Sequence, residues 1–345
     1  MDDGVRSAVR GLPPAYFALV MGTGIVSVGM SLEGFVLLSR TLLVICAAAF
    51  VVLLVLNGWR LVRYRDALAD DFLDPRRAFG FFTFVAGINV LGVRLGLAGV
   101  PTATLVLLLV AGLAWLVLGY VVPWTAVLGR AERPVLVTAN GTWFVWVVAS
   151  QSVAVAAATV EPVVGAGRRE LAVLAVVSWS VGVFLYGAAG IFVALRLMLY
   201  EVKPADLTAP YWVSMGALSI TVLAGARIVE MADAPMVAAT RHLIAGLAVV
   251  FWGFATWLIP ALVAAGWWRH VRHRIPLVYD ATLWSIVFPL GMYAVAGIYL
   301  GRADDLPVVG AVGRWELWVA FAAWLAVFAM MVRRLVSTLV RSAGR

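Results

Sequence analysis

Ten runs of about 20 apolar residues, separated by short charged connections, constrain this chain of 345 residues more than any other feature. They lie approximately at 15–30, 41–59, 79–97, 104–124, 141–160, 171–195, 211–228, 242–267, 281–300 and 315–332. In lipid every backbone group must be satisfied within the protein, and runs of this length do so as helices. The expected fold is an all-α integral membrane protein, a single transmembrane domain over 1–345 with its helical core at about 12–336. Composition agrees: 64% of residues are hydrophobic and only 13% charged, where a soluble domain has about a quarter charged. The first run, interrupted by Gly22 and Gly24, reads as a crossing and not as a cleavable leader. A single cysteine, Cys46, excludes an intrachain disulfide.

The net charge of +8 does not point to nucleic acid, because the arginines stand at the ends of apolar runs. Of the 26 lysines and arginines, 18 lie at the two chain ends and after even-numbered crossings, and 8 after odd-numbered ones. The positive-inside rule then places both termini in the cytoplasm, and the expected location is the plasma (inner) membrane.

Odd and even crossings differ in character. Even ones are dominated by Leu, Val, Ala and Trp, whereas odd ones carry the polar and small residues. Thr23, Ser27, Asn140, Ser150, Gln151, Ser214, Thr221 and Ser285 all belong to odd crossings, as do Thr83, Asn89 and Ser152. This alternation predicts five helical hairpins, each with one helix inside and one outside. The inner helices would then enclose a channel lined by the first eight of these residues. The competing reading is that such groups are ordinary helix–helix contacts, each worth little.

The ninth crossing holds a proline directly after a phenylalanine, in IVFPLG (286–291). Pro289 lacks the amide that would bond the Ser285 carbonyl, so a bend is expected there. Helical spacing aligns Ala281, Ser285, Phe288, Met292 and Val295 on one face. That face is either an aqueous path with an aromatic plug or a packed, kinked helix.

LPPAYFALVMGTGIVSVGM (12–30), NGTWFVWVVASQSVAVAAA (140–158), PYWVSMGALSITVLAGARI (210–228) and DATLWSIVFPL (280–290) together resemble the tellurite-resistance/C4-dicarboxylate transporter family. That family also includes the slow-type anion channels of plants, malate carriers and sulfite exporters. The resemblance runs from about Leu12 to Val336. It implies ten helices as five hairpins around a quasi-five-fold central pore, often in a homotrimer, with an anion path through each protomer. It also implies that a ninth-helix phenylalanine closes the pore, and the matching residue is Phe288. The third crossing lacks the proline that several family members carry there.

The chemistry the residues allow is narrow. No acidic or basic side chain lies near the middle of an odd crossing, and His242, His270 and His273 sit at helix ends or in loops. Coupling through a buried titrating group, a haem, a metal or another cofactor is therefore not expected, and neither is an enzyme. Hydroxyl and amide donors can partly replace an anion's hydration shell. Arg94 and Arg227 near the external mouth can raise the local anion concentration. The expected partners are small inorganic anions or dicarboxylates and the lipid bilayer. The reading is an anion channel or channel-like transporter gated by a phenylalanine. Its alternatives are a proton-coupled dicarboxylate carrier or sulfite/tellurite exporter, and, from another class, an intramembrane enzyme or sensor.

Overall fold

A computed structural model describes residues 3–129, 133–232 and 234–343 of the chain. Among the described residues there are only helices, turns and irregular connections. Ten helices are long and apolar enough to cross a membrane. They are α1 (Pro14–Leu32), α2 (Val36–Arg63), α3 (Ala78–Leu97), α4 (Pro101–Leu128), α5 (Gly141–Val163), α6 (Arg168–Leu199), α7 (Ala209–Val229), α8 (Pro235–Arg272), α9 (Ala281–Ala303) and α10 (Pro307–Thr338).

Burial sorts them into two sets. In the odd-numbered helices 78 to 89% of the most apolar stretch is buried, and in the even-numbered ones 17 to 33%. Length sorts them the same way: the odd helices have 19 to 23 residues and the even ones 28 to 38. The apolar runs marked only the hydrocarbon core. Even helices continue beyond it because a helix satisfies its own backbone wherever it ends.

Each odd helix makes its most extensive contact with the even helix that follows it. The odd helices also touch one another in a closed order, α1 to α3, α5, α7, α9 and back to α1. Every one of them opens with a tight 3₁₀ turn: Pro14–Phe17, Ala78–Phe81, Gly141–Trp143, Ala209–Trp212 and Ala281–Leu283. Those turns contact each other in the same cyclic order. The approach there is close enough to require glycine. A Cβ at Gly141 would fall 2.2 Å from the Pro210 carbonyl oxygen, and one at Gly80 would fall 2.9 Å from the Ala15 nitrogen.

Lipid offers no hydrophobic force between helices, so packing and hydrogen bonds hold the bundle. Between α9 and α10 the packing is backbone on backbone, since a Cβ at Gly301 would meet the Gly310 Cα at 2.6 Å. At the end of α2 the buried Arg60 holds Asp71 at 2.7 Å and the Arg10 carbonyl at 3.1 Å. This fastens the short helices Asp3–Arg10 and Arg65–Leu73 to the bundle.

Candidate functional site

α9 runs through Pro289 as one helix, with Phe288 only 1% exposed. Ser285, Phe288, Met292 and Tyr299 are spaced by three, four and seven residues, which places them on one stripe. Met292 and Tyr299 border a narrow central cavity with some 430 Å³ of empty space, its open mouth included. All five buried helices line this cavity: Val28 from α1, Asn89 from α3, Ser152 from α5, Leu223 from α7 and Met292 from α9 are examples. Every lining residue comes from the middle or the C-terminal half of its helix, so the five helices run in the same direction.

The opposite end opens into a vestibule with about 2020 Å³ of empty space, much of it continuous with solvent. Its wall includes the N-terminal ends of α5, α7 and α9. Asn140 lies here, capping α5 by accepting the Thr142 amide at 2.8 Å, and Asp280 caps α9 by accepting the Thr282 amide at 2.7 Å. Along α9 Phe288 falls between Met292, which borders the cavity, and Leu283 and Ile286, which border the vestibule, and it lines neither space itself. Ser285 is buried just beneath Phe288 on the same stripe. At the foot of α9 the Tyr279 hydroxyl meets that of Tyr16 at 2.9 Å and accepts the Trp284 indole N–H at 3.2 Å. Burial, then the hydrogen bond with Tyr16, holds the Tyr279 phenol well above its usual range.

The cavity's polar pair is Asn89 and Ser152, with the Asn89 amide donating to the Ser152 hydroxyl at 2.9 Å. Both are odd-crossing residues that the eight expected lining residues leave out. Most of those eight are placed elsewhere. Thr23 accepts the indole N–H of Trp324 on α10 at 3.0 Å. Ser150 accepts that of Trp115 on α4 at 2.9 Å. Gln151 donates to the Trp179 carbonyl on α6 at 3.1 Å. Thr221 donates to its own helix at Ala217, while its carbonyl accepts the Trp179 indole. Ser27 exchanges hydrogen bonds with Ser39 on α2. These five tie inner helices to outer ones or to themselves, and none lines the central cavity. For Thr23, Ser150 and the Thr221 carbonyl the physical reason is that the indoles of Trp324, Trp115 and Trp179 on outer helices need acceptors, and the inner helices supply them. Ser214, half-buried near the vestibule end, donates to the Tyr211 carbonyl at 2.8 Å.

The two arginines also part company. Arg94 is 3% exposed and lies among α1, α2 and α3, donating to Ser27 at 2.9 Å and to Ser39 at 2.8 Å. Those hydroxyls hold its guanidinium, and it lines neither the cavity nor the vestibule. Arg227 does line the cavity, paired with Glu230 and with its guanidinium 5.4 Å from the Tyr299 ring centre. Among the described residues no cluster of three His, Cys, Asp or Glu can hold a metal.

Ten helices, five of them buried around a common cavity, define a polytopic membrane transport protein. The chain belongs to the voltage-dependent anion channel family, whose model matches residues 11–332. Two proteins of Methanocaldococcus jannaschii, each described as an uncharacterized transporter, align over almost their full length. One is 22% identical over 340 residues, covering 96% of this chain and 97% of that protein. The other is 23% identical over 328 residues, covering 92% and 91%. A protein of Mycobacterium tuberculosis described as an uncharacterized membrane protein is 60% identical over 159 residues, 46% of this chain and 81% of that protein.

Proposed function

We propose that the chain is a passive anion channel of the plasma membrane. Both chain ends would be cytoplasmic, and the path would run through the central cavity past Phe288 to the vestibule. The observation that carries this reading is a cavity lined by all five buried helices, and the buried Phe288, one turn before the cavity-lining Met292, is the gate we propose. Two further features favour anions. The N-terminal ends of the buried helices gather at the vestibule end, and each helix contributes about half a positive charge there. The cavity offers neutral amide and hydroxyl groups and one arginine, which suits weak binding and flow more than tight capture.

In the resting form the Phe288 ring fills the path and presents no donor to an anion. The bend expected before Pro289 sets the ring's position, and displacement of the ring opens the path. The substrates are small inorganic anions, with C4-dicarboxylates the second class to test. Purified protein in liposomes, assayed in parallel with chloride, nitrate, sulfite, malate and succinate, tests the function. Flux of at least one anion down its gradient is expected. Protein that binds an anion but passes none would favour a sensor.

A further inference from the structure

We infer that Glu230 makes this path rectify, by offsetting at one mouth the only charge that lines the central cavity. The inference rests on the proposed anion path through the central cavity and concerns the entry of anions from each side.

Arg227 is the one charged residue in the cavity lining. Its guanidinium is engaged on two sides, by the Glu230 carboxylate three residues later and by the face of Tyr299, which also borders the cavity. Glu230 itself does not line the cavity. An anion approaching this mouth therefore meets an arginine whose field is offset by a nearby carboxylate. The helix C-termini around it add partial negative charge. Of the two other arginines in last turns at this end, Arg302 of α9 is likewise paired, with Glu33 at 3.2 Å, and Arg94 of α3 is buried against Ser27 and Ser39, outside the cavity lining.

The vestibule end is the reverse. Helix N-termini face it, and its three arginines, Arg76, Arg196 and Arg269, outnumber its two carboxylates, Asp206 and Asp280. Arg269 donates to the Pro204 and Ala205 carbonyls and makes no ion pair among the described residues. Backbone carbonyls on both sides of Asp206 position its charge, and the carboxylate of Asp206 pairs with Arg196 instead. Local anion concentration, and with it the entry rate, is therefore higher at the vestibule than at the cavity mouth. At equal and opposite driving forces, anions entering from the vestibule should flow faster than anions entering from the cavity mouth.

The test uses full-length protein carrying Phe288→Ala, so that current is measurable, inserted from one side into planar bilayers. In dilute salt, Glu230→Gln is expected to raise current entering from the cavity mouth about two- to five-fold and to reduce rectification. Molar salt should erase the difference. Glu230→Asp keeps the charge and should retain rectification, and adding Arg227→Gln to Glu230→Gln should lower cavity-side entry again. Glu230 is largely solvent-facing, so these variants should fold. Unchanged rectification in Glu230→Gln in dilute salt would overturn the inference while leaving the path standing. If Phe288→Ala itself carries no anion current, the path fails and this inference fails with it.

Discussion

Gly216 on α7 faces Pro289 on α9 so closely that a Cβ at 216 would stand 2.8 Å from the proline Cγ. The residue after Phe288 is thus wedged against the neighbouring buried helix by the absence of a side chain. Gly216→Ala must displace α9 or α7, and overpacking of this kind costs about 1–3 kcal/mol. Pro289→Ala removes the clashing Cγ, so the double variant should be more stable than the sum of the single effects. Thermal unfolding in detergent measures this, and strict additivity would mean that the two residues do not compete for space.

Thr23 and Asn89 should respond oppositely to loss of their polar groups. Thr23→Val removes the acceptor of the Trp324 indole and should cost about 1 kcal/mol of stability, the scale of such bonds in membranes, without changing flux. Asn89→Leu removes the cavity's amide and should lower anion flux several-fold in the Phe288→Ala background. Flux assays beside unfolding curves separate the two effects. The opposite assignment would move the path to the α1–α10 seam.

An imposed proton gradient should drive no uphill anion accumulation at clamped potential. The cavity lining contains no acidic residue. The buried carboxyl of Glu316 is on α10, outside that lining, and makes no hydrogen bond or ion pair among the described residues. Glu316→Gln should therefore leave flux unaltered at both acid and neutral pH. Concentrative uptake that this substitution abolishes would establish a carrier in place of a channel.

Orientation is open to direct labelling. Cys46 is fully buried and should be unreactive, so the natural chain supplies its own background. Cysteines placed at Glu33 or Ala303 should react from outside the cell, and one at Asp70 only after permeabilisation. The reverse pattern would invert both mouths.

The number of helices and their division into buried and lipid-facing sets were legible from run length and polarity, because lipid permits few alternatives. The direction in which each polar side chain points was not. Ser150, Gln151 and Ser152 are consecutive, and a helix turns about 100° per residue. They reach Trp115 on α4, Trp179 on α6 and Asn89 in the cavity, respectively. A helix buried on every side has no polar face to mark its rotation, so only its neighbours fix it. One signal was available: Trp115, Trp179 and Trp324 on even runs each require an acceptor. Pairing each of them with a group on an odd run removes Thr23 and Ser150 from the lining. The partners of Arg94 were not legible either, since its position near a helix end says nothing about Ser27 and Ser39 beside it.

The most direct test is the anion conductance of Phe288→Ala in folded, correctly inserted protein. Removing the ring that is proposed to fill the path and that offers no donor should raise conductance strongly, with Phe288→Leu intermediate. Phe184→Ala is the control, since Phe184 is exposed on α6, and it should change nothing. Conductance of Phe288→Ala at the natural level would contradict the gate and leave Phe288 as packing between α9 and its neighbours.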